Sequence, residues 1–566
     1  MHIQRISLVL AAGLTVACTG PRTSPAPAST YDVIIANGRI VDGTGNPWFY
    51  GDVGIRGDRI VRVAPAGALA NSAAAQRIDA RGLVVAPGFI DIQGQSERAL
   101  LRGDGRLVGK VTQGVTTEIL GEGTTPAPMN DNMVKLMDID DTATAELAMY
   151  NGFRGDHGFG RWLDAMGRHS NSVNVGSYLG AATVRVYASG QRQGAATEAE
   201  IDTMRAVVRH AMEDGAFGVA SALIYPPGAY ATTRELIEIA KAMSPYYGDY
   251  ITHMRSEDDS LFEAMDEAFR IGREGGTTVT IYHLKAAERA NWGKAAHMVA
   301  RIDSARAAGL DVAATMYTYA ASGNGLSACF PDWVSEGGRL LDNLRDPATR
   351  ARVVAEMVAT RTCDPVRSEH AVIGFRVDSL KKYEGCRIAQ IMKDWNRSAP
   401  ETVIELTLAE RGRLGKINFS MNEENVSMQL KQPWVVIGSD AAGFNPDSAR
   451  GLTHPRAYGA FTRFLRKYVR EDSVVTLEDA VRRMTSATAS RLHLRDRGLL
   501  REGMYADVVV FDPNTVADLA TFEKPHQLSV GVHHVFVNGV AVVRDGKHTG
   551  ATPGRVVYGP GRLPSS

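Results

Sequence analysis

Two histidines and two carboxylates in this chain stand where chemistry could be done. His253 lies in Thr252-His253-Met254, His283 in Tyr282-His283-Leu284-Lys285, Asp440 in Gly438-Ser439-Asp440 and Glu122 in Leu120-Gly121-Glu122-Gly123. Each follows a short apolar run that reads as a buried strand. Imidazole nitrogen and carboxylate oxygen both ligate zinc, and a catalytic zinc keeps one position open for water. Zinc lowers the pKa of that water towards about 7. A neighbouring carboxylate can then take its proton and deliver it to a leaving amine. An isolated histidine at a strand end is more often a hydrogen-bonded core residue than a ligand. Two on successive strands with the same placement, and Asp440 after a later strand, point instead to one metal-dependent hydrolytic site. Glu122 taken alone reads equally as a salt-bridge partner on a rim.

These groups need a frame that brings strand ends together. Eight strand-like runs occupy 83–92, 115–120, 173–180, 215–225, 250–254, 278–284, 311–317 and 434–440. Stretches 232–248 and 260–276 between them carry apolar residues at helical spacing. Eight β-then-α units predict an α/β fold, a TIM-type (β/α)8 barrel over 86–495, whose functional groups gather at the strand ends. The stretch 323–430 is too long for one crossover and predicts an inserted subdomain. Residues 32–63 read as a β-meander with NG, DG and GD turns, and 506–513 and 534–547 repeat the style, with a hairpin at Asn538-Gly539. Segments 32–85 and 496–560 are therefore expected to build one small β-sandwich domain from both chain ends.

Composition narrows the field. Of 566 residues, 44% are hydrophobic and 22% charged, as in a folded globular protein. Lys+Arg and Asp+Glu each number 63, so the net charge is zero, and no nucleic-acid partner is expected without a basic surplus. Near the N-terminus Arg5 precedes an apolar run over 6–17, shorter than the roughly 20 residues of a spanning helix and suited to a signal peptide. Small residues and Cys18 follow, as in a bacterial lipoprotein signal. The reading is a signal peptide over 1–17, lipidation at Cys18 and a Pro/Ser/Thr/Ala-rich tether over 18–31. It predicts an exported protein, periplasmic or membrane-anchored, touching the membrane through the lipid alone. Of the other cysteines, Cys363 and Cys386 are close in sequence and could pair, which leaves Cys329 as a free buried thiol. With no CxxC or Cys/His cluster, a finger-type zinc site is not expected.

Several stretches together carry a family likeness. They are ANGRIVDGTG (36–45), APGFID (86–91), QGVTTE (113–118), ALIYPPGAYATTREL (222–236), ITHMRSE (251–257), YHLKAAERANWGK (282–294), IGSDA (437–441), HPRAYGAFTRFL (454–465), GMYADVVVFDP (503–513) and FVNGVAVVRDGKHTGATPGR (536–555). With them the chain resembles the amidohydrolase superfamily and, more closely, the N-acyl-D-amino-acid deacylases or D-aminoacylases, from about 32 to 556. The resemblance implies a barrel flanked by a β-sandwich, with zinc at the barrel mouth. It implies His253 and His283 as zinc ligands and Asp440 as the catalytic acid/base. It also implies Lys285, Tyr317, Ser322 and Arg456 as the group that holds a substrate carboxylate, a task for which arginine is well suited.

The chain departs from that pattern in three places. The superfamily's HxH after GFID is here Gln93-Gly94-Gln95, and amides are poor zinc ligands, so a second metal is not expected and one ion is. Glu122 aligns with the cysteine ligand that follows the second strand in the D-aminoacylases. Gly180-Ala181 stands where relatives often have a histidine after the glycine. The expected activity is hydrolysis of an amide beside a free carboxylate in a small molecule, foremost an N-acyl-D-amino acid. Alternatives are a related hydrolase of cyclic amides or of L- or D-dipeptides, and a non-catalytic lipoprotein that binds ligands in a decayed barrel.

Overall fold

A computed structural model describes residues 30–137 and 144–563. The signal peptide, Cys18 and all but the end of the tether lie outside the described residues. Among those described, no helix is long and apolar enough to cross a membrane.

All eight central runs form parallel strands. Phe89–Asp91, Val115–Leu120 and Asn174–Ser177 make one arc. Leu179–Gly180, Gly218–Ala222, Asp249–His253, Thr278–Ile281, Val312–Met316 and Val435–Ile437 make a second, in that order. Their residues are almost all buried, without polar alternation, as expected of parallel strands covered on both faces. The arcs touch at both junctions. The Tyr178 amide, between Ser177 and Leu179, donates to the Leu120 carbonyl at 2.9 Å, and Gly94 bridges Ala441 in parallel. The helices between strands are amphipathic. Thr233–Met243 starts at Thr232, whose side chain accepts from the Glu235 amide, and buries Leu236, Ile237, Ile239, Ala240 and Met243.

The run 83–92 is not one strand. Val84–Pro87 pairs with Tyr31–Ile40 and Val508–Phe511, whereas Phe89–Asp91 opens the first arc. The chain passes between them at Gly88, where a Cβ would sit 2.2 Å from Thr116 Oγ1. Both chain ends meet in one nine-stranded sheet that runs from Lys547–His548 at one edge to Arg59–Pro65 at the other. Asn538 and Gly539, with φ of 49° and 80°, make the tight turn of its C-terminal hairpin.

Between Met316 and Val435 the strands Ser322–Gly325, Glu369–Ile373 and Gly415–Phe419 form an antiparallel sheet with Gly415–Phe419 in the middle. This segment has its own apolar cluster, including Leu326, Phe330, Val353, Val372, Ile388 and Val403. The expected Cys363–Cys386 pair is corrected here. The disulfide joins Cys329 to Cys363, both buried in that cluster, and the half-buried Cys386 is the free thiol. Nearness in sequence misled, because Cys386 follows a turn that carries it to the cluster's edge.

Candidate active site

The four chemistry-bearing residues converge at the carboxyl ends of the parallel strands. His253 ends its strand, Glu122 and His283 stand two residues beyond theirs, and Asp440 three. Glu122 can sit there because Gly121, at φ 111°, turns the chain over Tyr178, whose carbonyl would lie 2.3 Å from any Cβ. His283 and Asp440 themselves adopt positive φ, 35° and 50°. Such backbone is costly for a side-chain-bearing residue and tends to persist where a site demands it.

Glu122, His253 and His283 each offer one ligand atom, all within 4.8 Å of one another. Glu122 Oε1 lies 3.3 Å from both His253 Nδ1 and His283 Nε2. The outer nitrogen of His283 is tied elsewhere, with Nδ1 2.9 Å from Glu257 Oε1 and 2.8 Å from Lys285 Nζ. Fixing one ring nitrogen frees and orients the other, as is usual for histidines that hold metals. Burial alone would raise the Glu122 carboxyl, but hydrogen bonds to His253 and His283 hold it well below its ordinary value. Burial and Lys285 oppose charge on His283, yet Glu257 and Glu122 lift it to about 9. His253, buried, is pushed down. One carboxylate and two imidazoles in a buried, electronegative cluster fit zinc in number and type.

Asp440 faces this cluster. Gln95 Nε2 donates to its Oδ1 at 2.7 Å, and Arg456 Nη1 lies 2.7 Å from its Oδ2. Burial, against the pull of Arg456, raises the carboxyl to about 6. Gln93 donates from Nε2 to Glu122 Oε2 at 2.9 Å, while its Oε1 accepts from Thr315 Oγ1 at 2.7 Å. These residues open on a cavity of about 280 Å3, walled by Tyr225, Pro226, Ala182 and Gly323 to Gly325 as well as by Gln95, Glu122, His253, His283 and Asp440.

The four residues expected to hold a carboxylate stand behind the cavity wall rather than in it. Arg456 lies against Asp440 and 4.7 Å over the Tyr317 ring. Tyr317 is buried, with its hydroxyl against Met421 Sδ. Ser322 begins the insert strand that reaches the cavity and accepts from Asn418. Lys285 is buried behind His283 and pairs with Glu257 at 2.5 Å.

Three groups escaped the reading of the sequence. Glu257 closes the ITHMRSE stretch, meets His283 Nδ1 at 2.9 Å and stands 3.6 Å from His253 Nε2. Lys110 is fully buried and binds Asp91 Oδ2 at 2.5 Å, Ser439 Oγ at 2.6 Å and the Ala441 carbonyl at 2.8 Å, which locks the first and last strand ends together. Its one sequence signal is a lone lysine inside apolar Val108-Gly109-Lys110-Val111. Asn324 lines the cavity from the short strand Ser322–Gly325, to which the sequence reading gave no strand.

Parallel strands, a metal-capable triad at their carboxyl ends and an aspartate after the last of them define an amidohydrolase, and a model of the amidohydrolase family matches residues 397–543. The chain is 35% identical to a D-aminoacylase of Alcaligenes xylosoxydans xylosoxydans over 535 residues, covering 94% of this chain and 99% of the relative. A solved D-aminoacylase with a binuclear metal centre, described by one-metal activation and second-metal attenuation, is 34% identical and superposes with a TM-score of 0.76, covering 93% and 99% of the two chains. The N-acyl-D-glutamate deacylase of Bordetella bronchiseptica, solved with zinc and a phosphonate mimic of the tetrahedral intermediate, is 31% identical with a TM-score of 0.75 and coverage of 93% and 99%. This chain belongs to the D-aminoacylase family.

Proposed function

We propose that this protein is a zinc-dependent deacylase that hydrolyses the linear C–N amide of an N-acyl-D-amino acid to a carboxylate and a D-amino acid. The observation that carries the reading is the convergence of Glu122, His253 and His283 on one point, with Asp440 across the same cavity. Glu122, His253 and His283 would hold one zinc ion. When bound, zinc supplies Lewis acidity to the scissile carbonyl and to water. Asp440 accepts a proton from the attacking water and hands it to the leaving nitrogen, so that the amine departs neutral. Glu257 keeps the His283 ring turned towards the centre. Lys285, Tyr317, Ser322 and Arg456 are assigned to the substrate carboxylate, and Arg456 also steadies Asp440.

The two arcs read as one (β/α)8 barrel over 86–495, and the Gly94–Ala441 bridge supports closure. The shared terminal sheet supports a β-sandwich domain from 32–85 and 496–560, and the separate apolar cluster supports a subdomain at 323–430. Export and anchoring through Cys18 remain part of the proposal and rest on the N-terminal sequence. Labelling of the full chain with a radioactive fatty acid, lost in Cys18→Ser, is the expected result.

The activity test is direct. Purified protein should carry about one zinc per chain and hydrolyse N-acetyl-D-amino acids in preference to their L enantiomers. Absence of stoichiometric metal together with full activity in His283→Ala overturns the mechanism, and a clear L preference overturns the substrate assignment.

A further inference from the structure

One polar face of the insert sheet reaches the cavity at Asn324. In its register Asn418 stands opposite both Ser322 and His370, and Lys416 opposite both Asn324 and Val372. Residues two apart share a face, so Lys416 and Asn418 on the middle strand and Ser322 and Asn324 on the cavity-side strand lie together. Lys416, His370 and Asn418 are all buried. Lys416 Nζ meets an amide oxygen rather than a carboxylate, donating to Asn418 Oδ1 at 2.6 Å. His370 Nδ1 lies 2.9 Å from the same oxygen. On its other side Asn418 Nδ2 donates to Ser322 Oγ and to Asn324 Oδ1, each at 3.1 Å.

These contacts have a direction. Lys416 Nζ donates to Asn418 Oδ1, and His370 Nδ1 lies at the same oxygen, which leaves the Asn418 N–H groups for Ser322 and Asn324. The oxygen of Asn324 is thereby spent as an acceptor. Its own N–H groups are left for the Tyr225 hydroxyl and for the cavity, whose wall both residues form. The Ser322 oxygen is likewise occupied as an acceptor, and its O–H remains free to donate. A buried amine without a carboxylate partner costs stability, and burial pulls Lys416 down to about 7. An apolar face would cost less. What the lysine contributes is polarity along the row.

We propose that Asn324 is a substrate-binding residue of this enzyme and that Lys416, acting through Asn418, is the positioning residue that points its N–H donors at the substrate carboxylate. The proposal rests on the deacylase reading and adds to it a specificity element supplied by the insert. It predicts that the pocket selects anionic over amidated substrates through a donor wall, beyond the cations Arg456 and Lys285.

Steady-state kinetics on the zinc-loaded full-length protein test this with Asn324→Ala, Asn418→Asp and Lys416→Met. Asn418→Asp keeps an acceptor for Lys416 and His370 while deleting the donors to Ser322 and Asn324, so it is expected to fold. For an N-acetyl-D-amino acid each variant should raise KM by about tenfold, as for loss of one hydrogen bond to a charged group, with kcat falling by less than KM rises. Zinc content should stay at the wild-type level. For the matching substrate with its carboxylate amidated, KM should move little. If wild type turns over the acid and Asn324→Ala or Asn418→Asp leaves its KM unchanged, the inference alone falls. If the variants lower kcat or zinc content while sparing KM, the row is merely structural and the inference also falls. If wild type turns over no N-acyl-D-amino acid, the deacylase reading falls and takes this inference with it.

Discussion

Gln95 donates from Nε2 to Asp440 Oδ1 at 2.7 Å. Beside it Gln93 donates to the Glu122 oxygen that faces away from the histidines. Two amide N–H groups thus meet two carboxylates in the place where the HxH residues of the resembling superfamily would meet a second metal. An amide donor satisfies a carboxylate without bringing charge or an open coordination position. This pair of hydrogen bonds is the basis on which a single ion is proposed.

The first prediction follows from that arrangement. On titration with zinc, the wild-type chain should saturate at about one ion per chain and keep its activity in excess zinc. The double variant Gln93→His/Gln95→His should bind a second ion, because imidazoles ligate zinc where amides do not. Metal analysis after gel filtration reads the stoichiometry independently of turnover. Two ions in wild type would contradict the arrangement.

Asp440 carries the second prediction. Asp440→Asn preserves the size of the side chain and a contact for Gln95, but removes the proton acceptor. Its kcat should fall by about 10²- to 10⁴-fold, the usual worth of a positioned acid/base. Zinc content should be retained, because the triad does not include Asp440. Loss of metal together with activity would make Asp440 a ligand instead.

Much of this was legible because the key residues each terminate an apolar run. His253, His283, Glu122 and Asp440 could be picked out as polar punctuation at strand ends, and the strands themselves by buried composition. What was not legible depends on chain crossings. Glu257 acts on His283 from the loop after the preceding strand, and Lys110 reaches residues 329 to 331 positions away. The Lys416–Asn418–Asn324 row needs antiparallel register that no local pattern announces. The cysteine pairing failed for the same reason: three thiols permit three bridges, and only the packing of the insert brings Cys329 to Cys363.

That bridge gives a third prediction. Its partners are separated by 34 positions, and the loop-entropy relation for such a closure gives about 3–4 kcal/mol. Cys329→Ser or Cys363→Ser should lower the melting temperature of oxidised protein and abolish its sensitivity to reductant. Cys386→Ser should do neither. A reductant-sensitive Cys329→Ser variant would show that another pair had formed.

The fourth prediction concerns Lys416 and alkaline stability. Burial lowers its pKa from 10.5 to about 7 in the folded chain. Between those values the unfolded chain binds the proton and the folded chain does not, so stability rises with pH over that window. Below about 7 both states are charged and the burial cost is felt in full; above 10.5 both are neutral and the titration-linked part of that cost is gone. Lys416→Met removes the group and the dependence with it. The variant's melting temperature, compared with wild type, should therefore be most favourable near pH 6 and lose ground steadily towards pH 10. Paired thermal melts across that range, in one buffer system at constant ionic strength, measure the difference. A gap that stays constant from about pH 6 to 10 would mean that Lys416 does not titrate in the window and that its charge is stabilised by a partner other than Asn418.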